Sequence, residues 1–256
     1  MKINVPTDSQ EEGTMRETLG AMKAAQRLAG TPNWAVRNER LSRIAAMVRT
    51  YQEEIVAAVD EDFGGRAREE TLLAEIFTTL SSVRHARKYL RRWMRPERRS
   101  LDLAFRPARA KLLPQPLGVV GIISPWNYPL YMATSPLVGA VAAGNRVMVK
   151  PSEHTPRTSA LMAKMIGGYF AADEIAVIQG GRRVGEVFSC LPFDHLLYTG
   201  SASVARRIMA AAAENLTPVT LELGGKSPAI ISEDVDLRTA ATSIIRGKSK
   251  ENILSA

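Results

Sequence analysis

The segment LGVVGIISPWNYPLYMATSPLVGAVAAGNRVMVK, residues 117–150, decides the fold. Two short apolar runs, 119–123 and 146–149, flank a stretch at 130–143 that is typical of a helix. Continuous apolar strands separated by a helix indicate a parallel sheet that is covered on both faces. Because such crossovers are right-handed, the segment predicts one βαβ unit of a Rossmann-like sheet.

The same alternation continues for about eighty further residues. The remaining strand candidates are 175–178, 195–198, 219–221 and 229–231, and the helix candidates are 158–170, 184–190 and 202–213. The sequence therefore predicts an α/β fold with a doubly wound parallel sheet.

The first hundred residues have a different pattern. Between residues 8 and 94, apolar side chains recur at three- and four-residue spacing, as in Leu41, Ile44 and Val48. Phe63-Gly64-Gly65 interrupts this run, and a third helix is predicted over 69–93. Residues 100–116 are basic and rich in proline, which favours an extended path. An N-terminal helical region should thus precede the sheet.

Composition narrows the function classes. Hydrophobic residues make up 45% of the 256-residue chain and charged residues 23%, as in an ordinary globular protein. We expect a cytoplasmic protein without a membrane span, since Cys190 is the only cysteine and no apolar run is long enough. The scattered His85, His154 and His195 lack metal-ligand spacing, so no metal is expected.

Much of the net charge of +8 lies in one stretch, RHARKYLRRWMRPERR, residues 84–99. Such a basic and partly aromatic segment could bind nucleic acid or an anionic membrane surface. No nucleic-acid motif accompanies it, so we interpret it as the solvated face of a helix that ends near Pro96.

In a doubly wound sheet, ligands bind in the loops that follow the strands. After the first strand, Pro125 and Pro129 stiffen a turn that holds Trp126 and Asn127. A rigid amide there is either a donor to a developing oxyanion or the cap of the next helix.

The loop after the second strand contains Lys150, Ser152 and Glu153. The cation and the carboxylate could bind the hydroxyls of a ribose, although the same letters also fit a helix start with Ser152 as its cap. Two later turns, at Gly180-Gly181 and Thr199-Gly200-Ser201, could present backbone N–H groups to a phosphate. The alternative for the first of these is a plain strand-to-helix turn.

The fifth strand candidate, 219–221, is followed by ELGGKSP, residues 222–228. If Glu222 is half-buried beside the two glycines, desolvation would raise its pKa toward the range that suits a general base. Alternatively, Glu222 pairs with Lys226.

In this order and spacing, Pro-Trp-Asn, Lys-Pro-Ser-Glu, Thr-Gly-Ser and Glu-Leu-Gly-Gly-Lys-Ser-Pro resemble the aldehyde dehydrogenase superfamily over about residues 15–248. The segments at 62–76, 114–129 and 191–228 look most like its coniferyl-aldehyde dehydrogenase branch, which oxidises an aromatic aldehyde to the acid. The resemblance implies an N-terminal helical region at 1–99, an extended segment at 100–116, an NAD-binding domain at 117–248 and a divergent tail at 249–256.

The resemblance also implies the site. Asn127 would be the oxyanion amide and Glu222 the base that activates water. Lys150 and Glu153 would hold the adenosine ribose, where a carboxylate disfavours a 2′-phosphate, so NAD is expected rather than NADP. The other residues implied for the cofactor site are Trp126, Ser152, Gly180, Gly200, Ser201 and Gly225. The family's glycine five residues after Gly200 is Ala205 here, a small change.

One departure from the family pattern bears on activity. The nucleophilic cysteine of the family is expected 34 residues after Glu222, which is Ala256, and the match fails after about Lys248. Most of the catalytic domain and the strand used for the family's homodimers would be absent. We therefore expect a truncated form that is inactive by itself, or alternatively a non-catalytic NAD-binding module. Cys190 is expected to be a packed, unreactive thiol.

Overall fold

The computed structural model describes residues 9–254 of the chain. Helices dominate the first hundred residues: α1 (Ser9–Ala29), α2 (Trp34–Thr50), α3 (Gln52–Phe63), α4 (Arg68–Thr71), a π-helical turn (Leu72–Phe77) and α5 (Thr78–Trp93). A short antiparallel hairpin of β1 (Glu97–Arg99) and β2 (Ala110–Leu112) follows. The predicted break at Gly64 is confirmed, since this residue ends α3 in the left-handed conformation at φ 63°.

The remainder alternates between strands and helices, which confirms the predicted fold class. Its elements are β3 (Val119–Ile123), α6 (Tyr131–Ala142), β4 (Arg146–Lys150), α7 (Pro156–Tyr169), β5 (Ile175–Val177), α8 (Arg182–Ser189), β6 (His195–Gly200), α9 (Ala202–Ala213), β7 (Val219–Leu223) and α10 (Leu237–Leu254). Five of these strands form one parallel sheet in the order β5-β4-β3-β6-β7. The order reverses between β3 and β6, and this is where such sheets bind ligands.

Both faces of the sheet are buried, as the apolar strands predict. On β3 and β4, Val120, Ile122, Val147 and Val149 point into a core shared with α2, α3, α5, α6 and α7. The alternate residues, such as Val119 and Met148, point into a second core formed with α1, α8 and α9. The N-terminal helices therefore cover both faces, and they bring their own side chains close to the loops of the sheet.

The strand predicted at 229–231 is wrong. The chain leaves the sheet after Leu223, every residue from 222 to 239 is exposed, and Ile230 is 95% exposed. A strand is held by hydrogen bonds to a neighbouring strand, and within residues 9–254 the segment 229–231 pairs with none of the described strands. Ala256, where the nucleophile was expected, lies outside the described residues.

The basic stretch 84–99 lies at the surface of the protein. Helix α5 ends at Trp93, and most of the arginines of residues 84–99 are exposed. Across residues 9–254, none of the helices combines the length and the apolar character needed to cross a bilayer.

Candidate functional site

Two clefts lie at the carboxyl edge of the sheet, at the point where the strand order reverses. The first cleft has a volume of about 400 Å³ and is bordered by the loops after β3 and β4 and by α8 and α9. The second cleft has a volume of about 490 Å³ and lies between α6 and the end of β7. Both have the size of small-molecule sites. Pro125, Thr199 and Gly200 line both clefts, which therefore adjoin at the ends of β3 and β6.

The first cleft collects most of the residues predicted for the cofactor. Its lining includes Trp126, Lys150, Ser152, Glu153, Gly200 and Ser201. These residues come from three different loops, and the parallel sheet brings them together because the carboxyl ends of β3, β4 and β6 share one edge.

Lys150 and Glu153 form an ion pair in this cleft. The Nζ atom of Lys150 lies 2.8 Å from Oε2 of Glu153, and the Lys150 side chain is buried whereas that of Glu153 is about one third exposed. Burial by itself would raise the pKa of Glu153, but the hydrogen bond from Lys150 and the positive charges of Lys150 and His154 leave that pKa lowered. A charged carboxylate therefore faces the cleft at neutral pH, beside the buried side chain of Lys150.

Ser152 is not a helix cap, so the alternative interpretation of its loop is wrong. Helix α7 begins at Pro156 with Thr155 at the N-cap position. The Oγ atom of Ser152 accepts from the backbone N–H of His154 at 3.2 Å, which stabilises the turn that carries the ion pair.

Ser201 is the N-cap residue of helix α9 and lies at the rim of the first cleft. Its Oγ accepts from the N–H of Val204 at 3.4 Å, so the hydroxyl caps the helix. Gly200 before it has a φ of 157°, and a Cβ there would lie 2.3 Å from the hydroxyl oxygen of Tyr198. The packing of Tyr198 thus explains the need for glycine at this position.

Two predicted glycines are not brought into the clefts. Gly180 has a φ of 144°, and a Cβ there would meet the side chain of Val184 at 2.4 Å, so its role is the tight turn into α8. Gly225 lies in the exposed segment after β7 and does not line either cleft, and a Cβ there would meet no atom within 4 Å.

The second cleft brings the two predicted catalytic side chains to one place. Asn127 lines it from the loop after β3, and Glu222 lines it from the end of β7. Asn127 is buried, but Glu222 is exposed rather than half-buried. The cause is that β7 is an edge strand of this sheet, and no described segment covers its end.

Asn127 does not occupy the cap position of the next helix, so that alternative is also wrong. The N-cap of α6 is Leu130, and the N–H of Tyr131 donates instead to Oε2 of Glu75 at 2.7 Å. The carbonyl oxygen of Asn127 accepts from Nη2 of Arg66 at 2.8 Å.

Sequence reasoning missed Arg66 and Glu75, which form a buried ion pair beneath this loop. A signal for Glu75 exists: with Thr71 and Thr79 it follows the four-residue spacing of a buried helix face. A carboxylate on such a face requires a partner. Arg182 and Arg207, which line the first cleft, carry no comparable signal.

Comparisons with known proteins agree with the motifs. A family model described as "Aldehyde dehydrogenase family" matches residues 3–252. The "Probable coniferyl aldehyde dehydrogenase" of Pseudomonas aeruginosa is 49% identical over 242 residues, which cover 94% of this chain and 51% of that relative. The chain spans about half the length of the curated relatives it matches.

Solved structures with the same fold include enzymes with bound ligands. The substrate-bound state of AldH from Staphylococcus aureus has a TM-score of 0.87 at 35% identity, covering 91% of this chain and 51% of that one. A mutant of the indole-3-acetaldehyde dehydrogenase AldA of P. syringae, in complex with NAD+ and IAA, has a TM-score of 0.80 at 27% identity. That match covers 91% of this chain and 47% of that one.

Proposed function

This chain belongs to the aldehyde dehydrogenase family, and from that premise we propose that it forms the NAD-binding part of an enzyme that oxidises an aromatic aldehyde. The observation that supports this best is the meeting of two clefts at the reversal point of the sheet. One holds the Lys150–Glu153 pair and the start of α9. The other holds Asn127 and Glu222.

The first cleft fits a dinucleotide. Lys150 would donate to ribose hydroxyls and Glu153 would accept from them, while the N-terminus of α9 at Ser201 would donate N–H groups to the pyrophosphate. Trp126 and Ser152 border the same space. When bound, the nicotinamide supplies the acceptor for hydride.

The carboxylate of Glu153 also supports a preference for NAD over NADP. Its lowered pKa keeps it charged at neutral pH, so it would repel a 2′-phosphate. Gly180 and Gly225 line neither cleft, so a role at the cofactor would come through their backbone alone, at the turn into α8 and after β7.

The second cleft fits the reacting end of the substrate. The buried amide of Asn127 would donate to the oxygen of the aldehyde as negative charge develops on it. Glu222, across the same cleft, would take a proton from water. We take the substrate class, an aromatic aldehyde such as coniferyl aldehyde, from the relative in Pseudomonas aeruginosa.

The 256-residue chain should bind the cofactor without turning over aldehyde. Ala256 stands where the resemblance expects the nucleophilic cysteine, and Cys190 is the only thiol in the sequence. Burial raises the pKa of that thiol, which disfavours the reactive thiolate. A single thiol in this state also supports a reducing, cytoplasmic compartment.

Calorimetry with NAD tests the proposal. The chain should bind NAD, and Lys150→Ala or Glu153→Ala should each weaken binding by about tenfold, since each removes a charged hydrogen-bonding group. Lys164→Ala is the matched control, because it breaks a lysine–glutamate pair at 2.7 Å that is exposed on α7. That variant should bind NAD as the unmodified chain does.

The outcomes separate the candidate functions. Binding that only the cleft variants weaken supports the cofactor role, and the absence of NADH formation with coniferyl aldehyde then favours a non-catalytic module. Sustained NADH production by the chain would refute the proposed inactivity. No binding of NAD at millimolar concentration would refute the cofactor role.

A further inference from the structure

We propose that Arg66 and Glu75 are positioning residues, whose buried ion pair fixes residues 126–131 so that Trp126 faces the first cleft and Asn127 the second. The inference rests on the proposed function, because the proposed function gives Trp126 and Asn127 their roles. Neither Arg66 nor Glu75 lines the first or the second cleft, so both would act through the loop that they hold.

The pair is completely enclosed. The Arg66 side chain is 2% exposed and that of Glu75 is 0% exposed, and Nη1 of Arg66 lies 3.4 Å from Oε1 of Glu75. Arg66 comes from the loop between α3 and α4, and Glu75 from the π-helical turn Leu72–Phe77. Single π-helical turns inside helices are frequent at functional sites. This turn places a carboxylate directly beneath the loop after β3.

The two side chains hold the two ends of one short segment. Arg66 donates through Nη2 to the carbonyl oxygen of Asn127 at 2.8 Å. Glu75 accepts from the N–H of Tyr131 at 2.7 Å. Hydrogen bonds with a charged partner are roughly twice as strong as neutral ones. The backbone between Asn127 and Tyr131 is therefore anchored at both ends by a single ion pair.

An aromatic contact extends the support to Trp126. The guanidinium of Arg66 lies 3.6 Å from the centroid of the Phe63 ring and 5.0 Å from that of Tyr128. The Phe63 ring in turn lies 6.2 Å from the ring of Trp126. Arg66 thus fills the space between the end of α3 and the loop, and Phe63 connects it with the side chain that faces the first cleft.

Stability alone is a poor explanation for this arrangement. A buried ion pair is often no more stabilising than apolar side chains of the same volume, because both charges lose their hydration. Directional hydrogen bonds, in contrast, specify where the backbone runs. The feature that distinguishes this pair from an apolar contact is its control over the direction of the loop.

The test compares two variants of the full 256-residue chain. Arg66→Met removes the bonds to the loop but keeps an apolar stem against Phe63. Glu174→Gln is the matched control, since Glu174 forms ion pairs with Arg40 and Arg43 of α2 at 2.9 and 3.0 Å. Glu174 lies just before the edge strand β5, at the amino ends of the strands, whereas residues 126–131 lie at the carboxyl ends. Amide hydrogen exchange of residues 126–131 should be about tenfold faster in Arg66→Met than in the control, from the loss of charge-assisted bonds.

NAD affinity provides the second measurement. Arg66→Met should bind NAD about tenfold more weakly, whereas Glu174→Gln should bind it as the unmodified chain does. If Arg66→Met does not fold, Arg66→Lys replaces it, because lysine keeps the charge but cannot reach both partners, and the same order with smaller differences is expected.

Exchange in residues 126–131 no faster than in the control would overturn the proposal, as would unchanged NAD affinity in a variant whose loop exchanges faster. If the unmodified chain binds no NAD, the proposed function fails, and the exchange comparison still decides whether Arg66 positions the loop.

Discussion

Burial strongly shifts the pKa of Glu75. Complete burial raises its pKa to about 7, against the opposing effects of the backbone donors at Tyr131 and Leu130 and of the charge of Arg66. The charge of Glu70 adds to the increase, and Glu75 also interacts with the hydroxyl of Tyr128. The carboxyl group of Glu75 therefore binds its proton more tightly in the folded chain than in the unfolded chain.

A pH dependence of stability follows from this shift. The stabilisation from proton binding at Glu75 is complete below pH 4.5 and decreases as the pH rises towards 7, by about 3 kcal/mol in total. The glutamine in Glu75→Gln cannot titrate. The free energy of unfolding of this variant should therefore increase relative to that of the unmodified chain as the pH rises from 4.5 to 7. Urea unfolding at half-unit pH steps measures the difference.

Glu174→Gln is again the control, because the pKa of Glu174 is shifted in the opposite direction to that of Glu75. Burial acts to raise the pKa of Glu174, but Arg43 and Arg40 outweigh it and leave that pKa lowered. Its stabilisation is present above pH 4.5 and disappears only at lower pH. The effect of Glu174→Gln should thus be constant between pH 5 and 7. A constant effect of Glu75→Gln over the same range would contradict the pKa assignment.

At the scale of the elements, α7 is held by a cap from another helix. Its N-cap Thr155 makes no side-chain cap bond. The carboxylate of Asp62, near the end of α3, accepts from the N–H groups of Arg157 at 2.9 Å and Thr158 at 2.7 Å. An acceptor on these orphan N–H groups also benefits from the dipole of the helix. Asp62 thereby fastens α3 to the helix that follows the Lys150 loop.

Asp62→Ala should destabilise the chain by about 1 kcal/mol, as the loss of an ordinary helix cap does. Asp60→Ala, on the same helix and exposed, should change the unfolding free energy by less than about 0.5 kcal/mol. Thermal unfolding of both variants distinguishes them. Equal effects would mean that the contact between Asp62 and α7 does not cap the helix in solution.

The elements show what the sequence could predict. Local patterns predicted β3 to β7 and the loops after them, because a buried parallel strand requires an apolar run and the loop positions follow from it. The cap by Asp62 was missed because it joins residues that are about 95 positions apart in the chain. Helix spacing marks Glu75 as buried, but it does not identify Arg66 as its partner. The exposure of Glu222 and the absence of a strand at 229–231 depend on which strand lies at the edge of the sheet.

At the scale of the whole molecule, the edge beside β7 differs from the rest of the surface. The sheet ends at β7, and within residues 9–254 no strand pairs with its outer side. Large apolar side chains are exposed on it and after it, namely Leu223, Ile230, Ile231, Val235, Leu237 and Ile245. An unpaired edge strand together with exposed apolar residues favours association with another chain.

We therefore expect the 256-residue chain to associate reversibly as its concentration rises. The double variant Ile230→Lys with Ile231→Lys puts two charges on the exposed apolar segment that follows β7 and should shift sedimentation toward the monomer, because charged side chains oppose association through an apolar surface. Leu28→Lys is the control, since Leu28 is 90% exposed at the end of α1, far along the chain from β7. This control should associate as the unmodified chain does. If the unmodified chain sediments as a monomer at every concentration, the edge is protected in solution. If Leu28→Lys shifts sedimentation as much as the double variant does, the contact lies elsewhere.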